Sequence, residues 1–185
     1  MEKNSSKSTY KIVVTGLMAA IVFVLTLFIE IPLFGSRVHF ANSMCILSGL
    51  LLGPVYGGLA AGIGSGLFDF IYGYGVDEAL ITFASKFAMA AVAALIAGGE
   101  ARRNHASVVG GSVIGAWTYV ALYMLKTFIY RHFVYGLTIE ATFVIMGEKI
   151  IASTINAIFA MTVAPVLYFA LKPVLEKANI WNKLK

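Results

Sequence analysis

Six glycines fall within the fourteen residues from Gly53 to Gly66. The string runs Gly53-Pro54-Val55-Tyr56-Gly57-Gly58-Leu59-Ala60-Ala61-Gly62-Ile63-Gly64-Ser65-Gly66 and continues through Leu67-Phe68 to Asp69. The pairs Gly53/Gly57, Gly58/Gly62 and Gly62/Gly66 stack small residues one helical turn apart. In water each interior glycine would cost a helix ~1 kcal/mol relative to alanine. In lipid the same spacing lets backbones approach closely and pack by dispersion. The stretch therefore predicts a tightly packed membrane bundle, with a lone carboxylate, Asp69, at its far end.

The rest of the chain fits that setting. It has 185 residues, is 59% hydrophobic and 12% charged, and has a mean hydropathy of +0.85. These values belong to integral membrane proteins. The length suits one compact, all-α bundle of six transmembrane helices, a single membrane domain over 1–185. The spans are expected at 10–33, 38–53, 55–74, 80–98, 107–130 and 144–171, separated by breaks at Ile31-Pro32 through Gly35, Gly53-Pro54, Gly73 through Asp77, Gly98 through His105, and Arg131 through Glu140. Asn104 and Ser107 suit the start of the fifth. The first apolar run, from about Tyr10 to Ile29, is longer than a secretory h-region. The single Cys45 excludes an intrachain disulfide and a cysteine metal cluster.

Charge placement gives an orientation. Lys3, Lys7 and Lys11 precede the first span, Arg102 and Arg103 lie between the fourth and fifth, and Lys172, Lys177, Lys183 and Lys185 follow the sixth. With an even number of spans all of these share one side, which the positive-inside rule makes cytoplasmic. Both termini are expected there, in a prokaryotic-type cell membrane. The basic pI of about 9.3 thus reflects a membrane face that meets anionic lipid, not nucleic acid.

In this topology the ionisable groups within the spans concentrate in the outer half. His39 and Asn42 open the second span. Asp69 and Tyr72 close the third, and Lys86 lies about two turns into the fourth. Tyr119, Tyr123 and Lys126 sit in the outer half of the fifth. Glu148, Lys149 and Asn156 occupy the start of the sixth. Polar groups inside a membrane usually face the bundle interior or a water-filled cavity. Their convergence predicts an outward-facing pocket for a small molecule. The expected contacts are Asn42, Lys86, Tyr123, Lys126, Glu148 and Asn156, with His39 and Phe40 as lid residues. Asp69 is expected as a structural polar residue, and ion pairs Asp69–Lys86 and Glu148–Lys126 are the plainer alternative for those four. No metal site is expected, because the three histidines lack ligand spacing.

Catalytic motifs are missing. HExxH and CxxC are absent, and around Ser65 in Gly64-Ser65-Gly66 the residues Ile63 and Leu67 occupy the glycine positions that a nucleophile elbow needs. No GxxxxGK[ST] is present, so no P-loop for ATP. No internal repeat of the kind that builds many secondary transporters is evident. A binding subunit fits best. A self-sufficient small transporter or channel is the alternative, followed by an intramembrane enzyme using Asp69, Lys86 and Glu148, and by a purely structural assembly protein.

Several strings carry a resemblance. These are Lys11 through Thr26 with Gly16-Leu17-Met18-Ala19-Ala20, Leu50-Leu51-Leu52-Gly53-Pro54-Val55-Tyr56-Gly57-Gly58, Gly64-Ser65-Gly66-Leu67-Phe68-Asp69 and Thr82-Phe83-Ala84-Ser85-Lys86. Together they resemble the substrate-binding S components of energy-coupling factor (ECF) transporters. The resemblance implies a six-helix subunit that captures a vitamin from outside. It implies as partners a transmembrane coupling protein and two cytoplasmic ATPases, with ATP used by those partners and no cofactor bound directly. It further implies that small residues of the first helix, here Thr15, Gly16, Ala19 and Ala20, meet the coupling protein. Family members most like this chain often carry Gly-Asp where Ala41-Asn42 stands, so an amide replaces a carboxylate. A pyridoxine- or pyrimidine-like compound, or pantothenate held by Lys126 or Lys86, is the expected ligand.

Overall fold

The computed structural model describes residues 2–28, 30–33, 36–99 and 103–184. Phe34, Gly35, Arg102 and Lys185, and the side chains of Lys3, Lys7 and Glu30, lie outside that description. The chain runs α1 (Glu2–Phe28), β1 (Glu30–Leu33), β2 (Ser36–His39), α2 (Ala41–Ile71), α3 (Val76–Ala97), α4 (His105–Phe128), a π-helical turn (Ile129–Val134), α5 (Ile139–Lys177) and α6 (Trp181–Leu184).

Five segments among the described residues are long and apolar enough to cross a membrane: Ser8–Phe28, Ala41–Ile71, Val76–Ala97, His105–Val134 and Ile139–Lys177. The second and third expected spans both lie in α2, as two limbs that meet at Gly53. At Gly53 the backbone leaves helical space, with φ +83° and ψ −179°. A side chain there would be strained, so glycine is required. The next residue, Pro54, has no N–H to continue the ladder. The helix reverses at this point instead of running on. Cys45 Sγ lies 3.8 Å from Ser65 Oγ, whereas twenty residues of straight helix would separate them by ~30 Å. Ser48 Oγ also donates to the Gly57 carbonyl at 2.8 Å. The limb 41–52 is only ~18 Å long, about three fifths of a hydrocarbon core of ~30 Å.

Close backbone approach is what the glycines supply. A Cβ on Gly57 would overlap the Ser48 carbonyl and the Gly49 backbone. One on Gly49 would overlap the Ala90 carbonyl of α3, and one on Gly64 the Ala19 carbonyl of α1. The buried core between these helices is built from Val22, Ile46, Leu50, Met89, Ala93 and Ala160.

The first span also ends early. Its predicted extent to residue 33 is corrected to Phe28, because Glu30–Leu33 is a strand paired antiparallel with Ser36–His39. Partners are Glu30 with His39, Ile31 with Val38, Pro32 with Arg37 and Leu33 with Ser36. Proline at position 32 disfavours continuing a helix. Elsewhere boundaries shift by a turn or so: α3 starts at Val76, and α5 runs from Ile139 to Lys177. The predicted caps of the fifth span form a reciprocal box. Ser107 N donates to Asn104 Oδ1 at 2.8 Å, and Asn104 N to Ser107 Oγ at 3.0 Å.

The bundle thus has two unlike ends. A hairpin end carries β1, β2 and the α2–α3 and α4–α5 connections. A basic end carries Lys11, Arg103, Lys172, Lys177 and Lys183, and there α6 folds back to bury Trp181 and Leu184.

Candidate functional site

The reversal at Gly53 places the start of limb 41–52 inside the bundle. Asn42 is 1% exposed and accepts a hydrogen bond from Lys86 Nζ. Lys86 is 3% exposed and lies near the midpoint of α3, deeper than the two turns expected, because α3 begins at Val76. Its ammonium sits 3.5 Å from the centre of the Tyr119 ring, where the face of the ring attracts a cation. Tyr119 stacks in turn with Tyr123, with centroids 6.0 Å apart.

Asn156 of α5 ties the strand pair to this centre. The His39 backbone N–H donates to Asn156 Oδ1 at 2.8 Å, and Asn156 Nδ2 donates to the Arg37 carbonyl at 2.7 Å. One amide thereby replaces a missing third strand along β2. Phe40 leans on Phe159 with centroids 4.9 Å apart, and Ser43 Oγ donates to the Phe159 carbonyl at 3.2 Å. Five predicted residues, His39, Phe40, Asn42, Lys86 and Asn156, therefore share one neighbourhood.

Two buried side-chain atoms in that neighbourhood have no hydrogen-bond partner among the described residues: His39 Nδ1 and Asn42 Nδ2. Such atoms are rare in folded proteins, because leaving a buried polar group unmatched costs ~1–3 kcal/mol. Burial, with help from the Lys86 and Arg37 charges, lowers the His39 pKa to about 3. The imidazole is neutral at physiological pH, so one ring nitrogen donates and the other accepts.

The other predicted contacts sit nearer the hairpin end. Lys126 pairs with Glu78 of α3. Its charge also lies 5.8 Å from the centroids of both Tyr123 and Tyr130. Glu148 is exposed on α5 and forms no ion pair among the described residues, so the Glu148–Lys126 alternative is replaced by Glu78–Lys126. Asp69 is half-buried near the C-terminal end of α2. It makes no ion pair with Lys86, which turns to Asn42 and Tyr119.

Sequence reading missed two residues here. Glu78 belongs to the first turn of α3, where a carboxylate also suits the helix dipole. Arg37 lies 5.1, 5.4 and 5.0 Å from the ring centroids of Phe68, Tyr72 and Tyr74, and donates to the Tyr74 hydroxyl. The Phe68-Tyr72-Tyr74 spacing was a usable signal for an aromatic stack, but its cation comes from a distant strand.

The four small residues of α1 divide into two pairs. Thr15 and Ala19 are buried, while Gly16 and Ala20 are exposed. All four line a groove of about 510 Å³ between α1 and α2, with Tyr56, Leu59, Ile63 and Leu67 opposite.

Comparisons with known proteins bear on the family and the fold. The sequence profile of the family described as "ECF-type riboflavin transporter, S component" matches residues 6–173. A UPF0397 protein of Lactiplantibacillus plantarum is 41% identical over 73 residues, which cover 38% of this chain and 39% of that protein. The match thus spans about two fifths of that relative's length. The solved S component of a bacterial ECF transporter superposes with a TM-score of 0.71 at 21% identity, covering 91% of this chain and 99% of that one. That likeness speaks for the fold. The profile match extends over nearly the whole sequence, and on it the chain belongs to the ECF-type riboflavin transporter S component family.

Proposed function

We propose that this subunit takes a water-soluble vitamin with a flat, pyrimidine-like polar edge into the space around His39, Asn42, Lys86 and Tyr119, with riboflavin the first compound to test. The observation that carries this reading is the pair of orphaned buried atoms, His39 Nδ1 and Asn42 Nδ2, beside the Lys86 ammonium. A ring edge that alternates carbonyl and N–H groups satisfies such a mixed set, with the Asn42 amide and Lys86 donating to carbonyls. Tyr119 and Tyr123 offer the ring faces that a heterocycle needs. The family's description names riboflavin, whose pyrimidine-type edge agrees with the heterocycle expected from the sequence. A carboxylate ligand such as pantothenate is the second reading, because no carboxylate of the described residues pairs with the buried Lys86 charge.

In this proposal the basic end and both termini face the cytoplasm, and the vitamin enters from the hairpin end. Transport into the cell uses a coupling protein and two ATPases, which hydrolyse ATP. Gly16 and Ala20 present the exposed part of the α1 groove to the coupling protein. Glu148, Lys126 and Tyr123 form the approach to the deeper site.

The test is to purify the full chain in detergent, denature it and identify released small molecules by mass spectrometry, then titrate the emptied protein with riboflavin, pyridoxine and pantothenate. A near-stoichiometric vitamin and saturable binding are expected. Failure to retain or bind any of them, or vitamin flux through liposomes by the chain alone without ATP, would sink the proposal.

A further inference from the structure

A second cavity, of about 300 Å³, opens at the basic end. It is the work of three breaks in helical structure that meet there: the reversal at Gly53-Pro54, the end of α3 at Gly98-Gly99, and the turn that returns α6. Two cations line it, Lys11 from α1 and Arg103 from the connection before α4. The remaining walls are apolar or glycine, notably Leu52, Pro54, Leu95 and Leu184. No acidic side chain is among the described residues that line it.

Arg103 is held in place before any ligand arrives. Pro54 cannot donate to the carbonyl of Leu50, four residues earlier, so the reversal orphans that oxygen. Arg103 Nη1 donates to it, Nε donates to the Gly98 carbonyl at 2.8 Å, and Nη1 also reaches the Tyr168 hydroxyl at 3.4 Å. Three of its five N–H groups are thus committed to the fold. Nη2 makes no hydrogen bond to the described residues, and the guanidinium plane is fixed, as oxyanion recognition favours.

We infer that this cavity binds a phosphate-bearing anion, presented by the headgroup of an anionic phospholipid. Arg103 and Lys11 supply the charge, and the apolar walls receive the glycerol and the first acyl carbons. The volume is at the small end of ligand pockets, enough for a headgroup. Among the described residues no aromatic side chain lines the cavity to stack a nucleobase. Basic pockets between helices at a membrane boundary favour anionic headgroups, with roughly 1 kcal/mol per cation near the surface. This site is independent of the vitamin site, lying at the opposite end of limb 41–52.

The experiment places the full chain in nanodiscs of phosphatidylcholine, alone or doped with phosphatidylglycerol, and reads thermal unfolding together with lipid retained in native mass spectrometry. One retained phosphatidylglycerol and a higher unfolding temperature in the doped discs are expected. Lys11→Gln should weaken retention about fivefold, the factor that one surface cation supplies, with its unfolding in pure phosphatidylcholine as its own baseline, because Lys11 also lies 5.7 Å from the centre of the Tyr56 ring. Arg103→Lys keeps the charge but loses the fixed plane, and should weaken retention further. If inorganic phosphate in the buffer stabilises the protein and displaces the lipid, the site stands and takes a free anion. Equal retention of both lipids with no effect of phosphate overturns the inference.

Discussion

Limb 41–52 of α2 has a cation at each end, and the two ends are finished differently. At the deep end Lys86 donates to Asn42, yet His39 Nδ1 and Asn42 Nδ2 are left unmatched. At the basic end Arg103 closes the one carbonyl that Pro54 orphans, and no buried side-chain atom there is left over among the described residues. Both cations meet an aromatic ring, Lys86 at 3.5 Å from Tyr119 and Arg103 at 5.7 Å from Tyr168. The difference lies in what remains to be satisfied. Among the described residues, the fold thus keeps buried and unmet hydrogen-bonding capacity at one end of a short helix only.

The contrast can be broken outright at the turn between the ends. Gly57→Leu inserts a side chain where even a Cβ meets the Ser48 carbonyl, and overpacking a tight core usually costs ~1–3 kcal/mol or more. Because the atoms met are backbone, the limbs cannot close, and loss of monodisperse protein on size exclusion is expected. Gly16→Ala, with nothing near its Cβ position, should leave that elution unchanged.

Lys86→Met comes next. It removes a buried charge and the donor to Asn42, and a hydrogen bond from a charged group is worth ~1.5–3 kcal/mol. Vitamin affinity should fall by one to two orders of magnitude while the protein still folds, measured by titration against wild type. Arg103→Ala should do the reverse. It leaves the Leu50 carbonyl bare at ~1–3 kcal/mol, visible as a lower unfolding temperature, with vitamin affinity little changed. If both variants lost affinity and stability in the same proportion, the two ends would not be separate.

The last contrast appears only on acidification. The folded pKa of His39, about 3, lies below its ordinary value of 6.5. The unfolded chain therefore takes up the proton first, and stability falls as pH drops from 6.5 toward 3. His39→Gln should flatten that slope in detergent melts recorded at a series of pH values. An unchanged slope would place the titration elsewhere.

Much of this was legible in the chain. Glycine spacing announced close backbone contact, and five of the predicted contacts do gather. The break at Gly53-Pro54 was also visible, but a break does not say whether the chain passes through a connection or doubles back. That depends on Gly57 finding Gly49, a contact made only once the limbs fold. The strands were hidden because Ile29-Glu30-Ile31 continues the hydropathy of α1, and only Pro32 argues against helix. Partner choice was the least legible. Lys126 takes Glu78 on α3 instead of Glu148 on α5, and nothing along the chain ranks two carboxylates by their distance across a bundle.

The reversal at Gly53 has a further consequence, for the chain's tolerance of length change. One residue inserted between Ser48 and Gly57 would rotate the following limb by about 100°. Gly57 would then turn away from Gly49, and the alignment of Gly64 with Ala19 and of Ser65 with Cys45 would fail with it. A connection of ordinary loop residues would absorb such an insertion; a one-residue reversal cannot. Insertions and deletions among relatives of this chain should therefore cluster between β1 and β2 and between α3 and α4, and leave the interval from Asn42 to Gly66 at constant length.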